Sequence, residues 1–216
     1  MLVREGMTCD PISIPPEMSA PDALRIMRDR NVRRLPVLDR HKQLVGIVTD
    51  KDLLRAAPSP STTLAVYEIA TFFEKIKVDE VMTREVITVS EDTPMEEAAS
   101  LLADRKIGGM PVMQGNRLVG IITQTDLFKS FLELLGGRRP GVRLTVRVLG
   151  GKGVLAKITN AISGAGGDIV GLAFHEITDQ VDHNWQITFK VQDVSEDKLA
   201  DAVRPLVAAI ADVRRL

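Results

Sequence analysis

Two Thr-x-x-Asp pairs are the residues of this sequence whose types and spacing best suit binding chemistry. Thr49 and Asp52 follow the apolar phrase LVGIV, and Thr123 and Asp126 follow LVGII, 74 positions later. Both pairs have the spacing of helix caps, worth about 1 kcal/mol each. The same carboxylates could instead accept hydrogen bonds from two neighbouring hydroxyls of a ribose. The spacing alone leaves both interpretations open.

Each pair follows a predicted strand that ends in a glycine, Gly46 in the first case and Gly120 in the second. A glycine leaves room for close approach to the backbone, and a helix start presents unpaired N–H groups to an anion. On the ligand interpretation, the glycine and the helix start that follows it form a seat for phosphate.

The two pairs belong to a longer internal repeat with an offset of 75 residues, which becomes 74 after a one-residue deletion near Lys42. Apolar periodicity predicts a strand, a helix, two strands and a second helix in each copy, which is a β-α-β-β-α unit. The other aligned phrases are MTCDPISI (7–14) with MTREVITV (82–89), and DRNVRRLPVLD (29–39) with DRKIGGMPVMQ (104–114).

The first helix of each copy has a predicted start. Ser19 with Asp22, and Thr93 with Glu96, have capping-box spacing, and Pro94 is expected at the first helical position. We expect these residues to be structural.

With its signatures GIVTDKD and GIITQTD, the repeat resembles the cystathionine-β-synthase (CBS) domain, which occurs in tandem and binds adenosine nucleotides between its copies. The resemblance covers residues 1–56 and 78–131. It implies a regulatory ligand such as AMP, ADP, ATP or S-adenosylmethionine, with ribose and phosphate on the Thr and Asp residues and adenine near the Ile and Pro residues. The implied binding residues are Thr8, Ile12, Arg33, Arg34, Pro36, Thr49, Asp52, Thr83, Ile87, Gly109, Pro111, Thr123 and Asp126.

The two copies differ just before the LPV and MPV phrases. The first copy has Arg33 and Arg34, where the second has Gly108 and Gly109. An arginine fork suits phosphate, and a paired surface arginine is the ordinary alternative. The sequence therefore predicts two sites that are not equivalent.

The segment between the copies, 57–78, begins as a Pro/Ser turn and is predicted to continue as a helix with a broad apolar face. This face could pack on the tandem pair itself or serve a partner. The insert resembles that of acetoin-utilisation B-type proteins, CBS pairs that often carry a further small domain. The apolar residues are Leu64, Val66, Tyr67, Ile69, Phe72, Phe73 and Ile76.

A further domain is predicted after the linker GGRRPG (136–141), because glycine and proline end helices. The element order is βαββαβ, the ferredoxin-like arrangement. The second helix is expected to kink at Pro205. The predicted elements are strand 142–149, helix 154–162, strands 168–177 and 185–191, helix 195–210 and a last strand from Asp212.

The stretch GKGVLAKITNAISGAGGDIV (151–170) resembles the ACT domain, a regulatory module that commonly senses amino acids at a dimer interface. The resemblance implies an amino-acid effector or a role in dimerisation. Family members usually carry Asp-x-Pro-Gly at the first turn, whereas only the glycine of that motif is present here. Asp168 stands where Asn is common. The implied effector residues are Gly153, Val154, Leu155, Asp168 and Ile169.

Composition excludes several classes of function. The sequence has a net charge of −1 with one Trp and one Tyr, which is not the basic composition expected of a nucleic-acid-binding protein. No apolar run is long enough to cross a bilayer, no signal-peptide h-region is present, and Cys9 is the only cysteine, so a cytoplasmic location is expected. No Walker, GxSxG or zinc-ligand motif occurs. We predict no catalytic residues, no metal site and no enzymatic activity.

These observations predict a mixed α/β (α+β) protein with a tandem CBS pair and an ACT-like domain. The expected domains are 1–56, a linker helix 57–77, 78–135 and 141–216. We expect a homodimer that senses an adenine nucleotide and controls an unknown partner. The alternative is a structural or regulatory subunit that dimerises and controls a partner enzyme without binding nucleotide.

Overall fold

The computed structural model describes residues 1–56, 72–179 and 182–216. The chain divides into two compact units, Met1–Leu127 and Phe128–Leu216. Each unit has its own hydrophobic core.

The first unit contains the two repeated copies except for the end of the last helix, and each copy shows the predicted β-α-β-β-α order after a short leading helix that was not predicted. The first strands are only two residues long. In the first copy the elements are α1 Val3–Gly6, β1 Thr8–Cys9, α2 Ala20–Asp29, β2 Arg34–Leu38, β3 Leu44–Thr49 and α3 Asp50–Ala56. In the second copy they are α4 Val78–Val81, β4 Val89–Ser90, α5 Met95–Asp104, β5 Gly109–Gln114, β6 Arg117–Thr123 and α6 Gln124–Leu134.

Each copy begins with a short segment, the leader, which comprises residues 3–9 in the first copy and 78–83 in the second. Each leader packs on the other copy. Val3, from the first leader, is fully buried in the core of the second copy. Val78 and Met82, from the second leader, are buried in the core of the first. The backbone follows the same exchange, because β1 pairs with β6 and Thr83 bridges to Ile47 in β3. The two copies therefore interlock.

The glycines of the repeated phrases lie inside β3 and β6 rather than at their ends. An added Cβ at Gly46 would overlap the sulfur of Met82, and one at Gly120 would overlap the sulfur of Met7. The prediction that these glycines leave room for a ligand is wrong, because the exchanged leaders fill the space with methionine.

The predicted cap of α2 is confirmed, since Ser19 Oγ accepts a hydrogen bond from the Asp22 backbone N–H at 3.3 Å. The predicted cap of α5 is wrong. That helix starts at Met95 with Pro94 at the N-cap, and its N-cap makes no side-chain hydrogen bond. Thr93 lies one residue too early to satisfy the helix N–H groups.

The predicted helix between the copies falls largely outside the described residues, including Leu64, Val66, Tyr67 and Ile69. Residues 72–75 are helical. Phe73 and Ile76 pack against the core of the first copy, whereas the side chain of Phe72 is exposed. Within the described part of the chain, no helix is long and apolar enough to span a bilayer.

The second unit shows the predicted βαββαβ order. Its four strands form an antiparallel sheet in the order β10-β7-β9-β8. The core contains Ile158 and Ile162 from the first helix and Leu199 and Val203 from the second. The elements are β7 Val142–Leu149, α7 Val154–Gly164, β8 Asp168–Asp179, β9 Asp182–Gln192, α8 Glu196–Val203 and β10 Ala209–Arg215.

The second helix of this unit is shorter than predicted. It ends at Val203, and a short 3-10 turn, Arg204–Leu206, follows. Pro205 cannot donate a backbone hydrogen bond and its ring clashes with a preceding turn, so the α-helix stops there. Residues predicted as the end of the helix instead belong to β10, which pairs with β7.

Candidate functional site

A cavity of about 530 Å³ lies in the first unit, at the end of β3 where the first Thr-x-x-Asp pair begins α3. Both copies contribute to its wall. Its lining residues are Arg33, Arg34, Ile47, Thr49, Asp50, Lys51, Asp52, Thr83, Glu85, Val86, Ile87, Lys106, Ile107, Gly108, Gly109 and Gln124.

The Thr49–Asp52 pair is a reciprocal helix cap. Asp52 Oδ2 accepts hydrogen bonds from the Thr49 hydroxyl at 2.7 Å and from the Thr49 backbone N–H at 3.0 Å. In return, Thr49 Oγ1 accepts the Asp52 backbone N–H at 3.3 Å. The cap uses only one carboxylate oxygen, and Oδ1 makes no hydrogen bond within the described part of the chain. Capping and ligand binding are therefore compatible at this residue.

The second pair repeats this geometry. Asp126 Oδ2 accepts from the Thr123 hydroxyl at 2.7 Å and from its backbone N–H at 3.0 Å, and Thr123 Oγ1 accepts the Asp126 N–H at 3.3 Å. Neither residue lines the cavity. The two copies thus share the cap geometry, but only the first pair lines this cavity.

Seven of the thirteen predicted binding residues line the cavity: Arg33, Arg34, Thr49, Asp52, Thr83, Ile87 and Gly109. The leader exchange explains this grouping, because the bridge from Thr83 to Ile47 carries the second leader to the first motif. Of the other six, Pro36 and Pro111 are buried in their strands, and Ile12 is 38% exposed. Those six residues are Thr8, Ile12, Pro36, Pro111, Thr123 and Asp126.

Charged groups of both signs face the cavity. Its lining contains four cationic side chains, from Arg33, Arg34, Lys51 and Lys106, and three carboxylates, from Asp50, Asp52 and Glu85. Cations in a half-enclosed cavity attract an anion more strongly than they would in open water. The free side of Asp52 meanwhile offers an acceptor for hydroxyl groups.

Arg34 crosses from the first copy to the second. Its guanidinium lies beside Gly108 and Gly109, where an added Cβ on either glycine would overlap it. Burial lowers the pKa of Arg34, with Arg33 acting in the same direction and the carboxylates of Asp50 and Asp126 opposing the change. The guanidinium is thus a partly desolvated cation with carboxylates from both copies nearby.

Comparison with known proteins decides the family. The CBS domain family matches residues 3–59 and 78–133, which together are more than half of the chain. This chain belongs to the CBS domain family.

One curated relative of this CBS pair is the L-aspartate semialdehyde sulfurtransferase of Methanocaldococcus jannaschii. The identity is 32% over 139 residues, which cover 64% of this chain and 24% of that enzyme. The chain therefore spans about a quarter of the length of this relative.

Three solved structures share the fold of the CBS pair. The pair of protein MJ0100, in complex with 5-methylthioadenosine and S-adenosyl-L-methionine, is 31% identical with a TM-score of 0.52, over 64% of this chain and 98% of that one. A putative acetoin utilization protein (AcuB) from Vibrio cholerae is 30% identical with a TM-score of 0.54, over 64% of this chain and 95% of that one. CBSX2, in complex with AMP, is 29% identical with a TM-score of 0.52, over 61% of this chain and 96% of that one.

Several residues of the CBS-pair cavity were missed by the sequence analysis. Lys51 and Asp50 adjoin the predicted pair, so the motif itself could have indicated them. Lys106 precedes the Gly108–Gly109 pair in a loop, and only the tertiary fold brings it to the first motif. The missed lining residues are Ile47, Asp50, Lys51, Glu85, Val86, Lys106, Ile107, Gly108 and Gln124.

The predicted effector residues beyond the CBS pair lie around the start of α7 and β8. Gly153 has a φ of +81° immediately before α7, a conformation that favours glycine. Val154, Leu155 and Ile169 pack partly against the core, whereas Asp168 is exposed. In the described part of the chain, no cluster of three or more His, Cys, Asp or Glu residues could hold a metal.

Proposed function

We propose that this chain is a regulatory protein that binds an adenosine-containing nucleotide in the cavity of its CBS pair. The observation that carries this proposal is that Asp52, whose Oδ1 makes no hydrogen bond in the described part of the chain, lines a cavity with four cationic side chains. A volume of about 530 Å³ lies within the range of small-molecule sites. The solved pairs with AMP and with S-adenosyl-L-methionine support the ligand class.

The lining suggests a role for each side of the cavity. Asp52 Oδ1 would accept hydrogen bonds from the ribose hydroxyls, while Oδ2 keeps the helix cap. Arg33, Lys51 and Lys106 would face the phosphate. Apolar side chains would enclose the adenine, namely Ile47, Val86, Ile87 and Ile107.

Binding would change how the two copies are arranged relative to each other, because each copy supplies part of the cavity wall. A ligand shifts a conformational equilibrium only by binding one state more tightly than another. A nucleotide that touches Thr49 in the first copy and Lys106 in the second would favour the arrangement that brings them together. The regulated partner would bind that arrangement of the two copies in preference to others.

A thermal-shift panel tests the proposed function on the full chain. We expect AMP, ADP or ATP to raise the melting temperature, because a ligand at one hundred times its Kd stabilises the folded state by about 2.7 kcal/mol. S-adenosylmethionine, NAD and free amino acids complete the panel. No shift with any adenosine compound would contradict the proposal and favour the structural subunit. Hydrolysis of a nucleotide above background would contradict a purely regulatory role.

We propose that the second unit is an ACT-like domain for dimerisation or for an amino-acid effector. The proposed division of the chain is 1–56, 57–77, 78–135 and 141–216. The βαββαβ order and the turn at Gly153 support the assignment. The resemblance to acetoin-utilisation proteins and the Vibrio cholerae structure support a link to acetoin metabolism in a cytoplasmic protein.

An apolar stripe in the second unit supports a homodimer. It consists of Phe128, Phe131, Leu132 and Leu135, which have helical spacing and side chains 39–68% exposed. Lys129 and Glu133 flank it, so antiparallel pairing with a second copy would place opposite charges together. A second copy is therefore the proposed occupant of the stripe.

The stripe continues to an edge strand of the sheet in the second unit. Leu135 lies on β8, where an added Cβ on Gly171 would overlap its carbonyl group. β8 is an edge strand of the four-stranded sheet, and its Leu172 and Phe174 are exposed. An exposed strand edge is stabilised when a second copy covers it.

Light scattering tests the proposed dimer. We expect the full chain to be dimeric at micromolar concentration and the double variant Phe128→Asp/Leu132→Asp to be monomeric. Leu54→Asp is the matched control, because Leu54 is the exposed counterpart of Phe128 in the first copy. A monomeric wild-type protein would contradict the dimer, and dissociation by Leu54→Asp alone would place the interface on the CBS pair.

A further inference from the structure

The two Thr-x-x-Asp motifs differ in what approaches them from the opposite copy. In the repeat alignment, Arg34 corresponds to Gly109. The Arg34 guanidinium reaches Gly109, and an added Cβ there would also lie 3.0 Å from the Thr123 side chain. A cationic side chain from the first copy thus extends to the neighbourhood of the second motif. Gly109 has no side chain with which to reach Thr49 in return.

The surroundings of the two motif carboxylates differ as well. The guanidinium of Arg34 is half-buried and makes no hydrogen bond or ion pair in the described part of the chain, and it interacts electrostatically with Asp50 of the first copy and with Asp126 of the second. Asp52 lines the cavity, and its Oδ1 makes no hydrogen bond in the described part of the chain.

The cavity lies beside the first motif. Thr49 and Asp52 line it, and Gln124 is the only residue of the second motif's helix start that does so. Thr123 and Asp126 themselves do not, although their mutual hydrogen bonds have the same lengths as those of the first pair. The difference is therefore not in the motif but in its surroundings.

We propose that each chain binds one phosphorylated adenine nucleotide, through the Thr49–Asp52 motif alone, and that Arg34 prevents a second from binding at Thr123–Asp126. This inference rests on the proposed function and specifies its stoichiometry and ligand class. Four cations against three carboxylates in the cavity favour an anionic phosphate over the cationic sulfonium of S-adenosylmethionine.

Isothermal titration of the full chain with AMP tests the stoichiometry. We expect one nucleotide per chain for the wild type. Asp52→Asn should weaken binding about ten- to a hundredfold, by loss of charge-assisted hydrogen bonds, while Asp126→Asn should change affinity by less than about twofold. Circular dichroism melts confirm that each variant is folded. Equal losses in the two variants would overturn the inference while leaving the proposed function intact.

Arg34→Ala tests the part played by the arginine. We expect two AMP molecules per chain, because removing the side chain clears the approach to Thr123. Arg33→Ala is the matched control: it removes a cation from the same cavity and should lower affinity without changing the stoichiometry of one.

Four results separate failure of the inference from failure of the proposed function. Two nucleotides bound to the wild type, or one to a folded Arg34→Ala variant, would overturn the stated role of Arg34. Tighter binding of S-adenosylmethionine than of AMP would overturn the ligand class. Absence of heat with every adenosine compound, confirmed by equilibrium dialysis, would instead overturn the proposed function and the inference with it.

Discussion

The two copies of the CBS pair share a helix cap and differ in the residues that face it. Thr49–Asp52 and Thr123–Asp126 make the same three hydrogen bonds at the same lengths, yet only the first pair lines the cavity. The cap therefore gives both pairs a role in folding that does not depend on a ligand. What distinguishes a candidate binding motif is its surroundings, and here an arginine of one copy lies against a glycine pair of the other.

The largest expected stability effect lies at this contact between the copies. Gly109→Ala should lower the free energy of unfolding by about 1–3 kcal/mol, the usual cost of overpacking. Its new Cβ would lie 2.9 Å from the Ile122 carbonyl oxygen and would also overlap the Arg34 side chain. The counterpart change, Arg34→Ala, should cost less than about 1 kcal/mol, because it removes a half-buried side chain and introduces no clash.

Urea unfolding of the two single variants and the double variant measures this difference. The Ile122 oxygen belongs to the backbone and cannot move aside, so the double variant should remain destabilised. If Arg34→Ala fully rescues Gly109→Ala, the arginine alone sets the requirement for glycine.

A smaller difference in stability is expected between alanine variants of Gly46 and Gly120, the two glycines that lie against a methionine side chain. Gly120→Ala should lower the free energy of unfolding by about 1–2 kcal/mol, and Gly46→Ala by less. Both new Cβ atoms overlap a flexible methionine, but the one at Gly120 would also lie 3.2 Å from the Thr8 carbonyl oxygen. Thermal melts at equal concentration compare them, and a larger loss for Gly46→Ala would contradict this account of the exchanged leaders.

The smallest expected difference concerns the first long helix of each copy. Ser19→Ala should cost about 1 kcal/mol through loss of its cap, whereas Thr93→Ala should cost less than about 0.5 kcal/mol. The reason is that Ser19 accepts the Asp22 N–H, while α5 has no side-chain cap. Chemical denaturation resolves the pair, and equal losses would show that Thr93 stabilises its helix by another route.

The order of elements could be predicted from the sequence because it depends on local periodicity. Strand β7 occupies residues 142–149, as its alternation of apolar and polar residues predicts. The exchange of leaders could not be predicted, because Val3 and Val78 are apolar whichever copy they fill. The same exchange explains the wrong interpretation of Gly46, since its close contact is with Met82, 36 residues later in the chain.

The candidate site could be predicted in part for a similar reason. The motif indicated Thr49 and Asp52, and the contrast of Arg34 with Gly109 predicted inequivalent sites. Neither showed which side would hold the cavity, since that depends on contacts between copies. Lys106 is an example: no local pattern connects it with Asp52, yet both line the same cavity.

We propose that nucleotide binds at the first motif of the CBS pair and not at the second. A crystal structure of the full chain grown with AMP tests this most directly. We expect one AMP, with its ribose at Asp52 and its phosphate among Arg33, Lys51 and Lys106. Nucleotide at Asp126, at both motifs, or at neither under saturating AMP would contradict it.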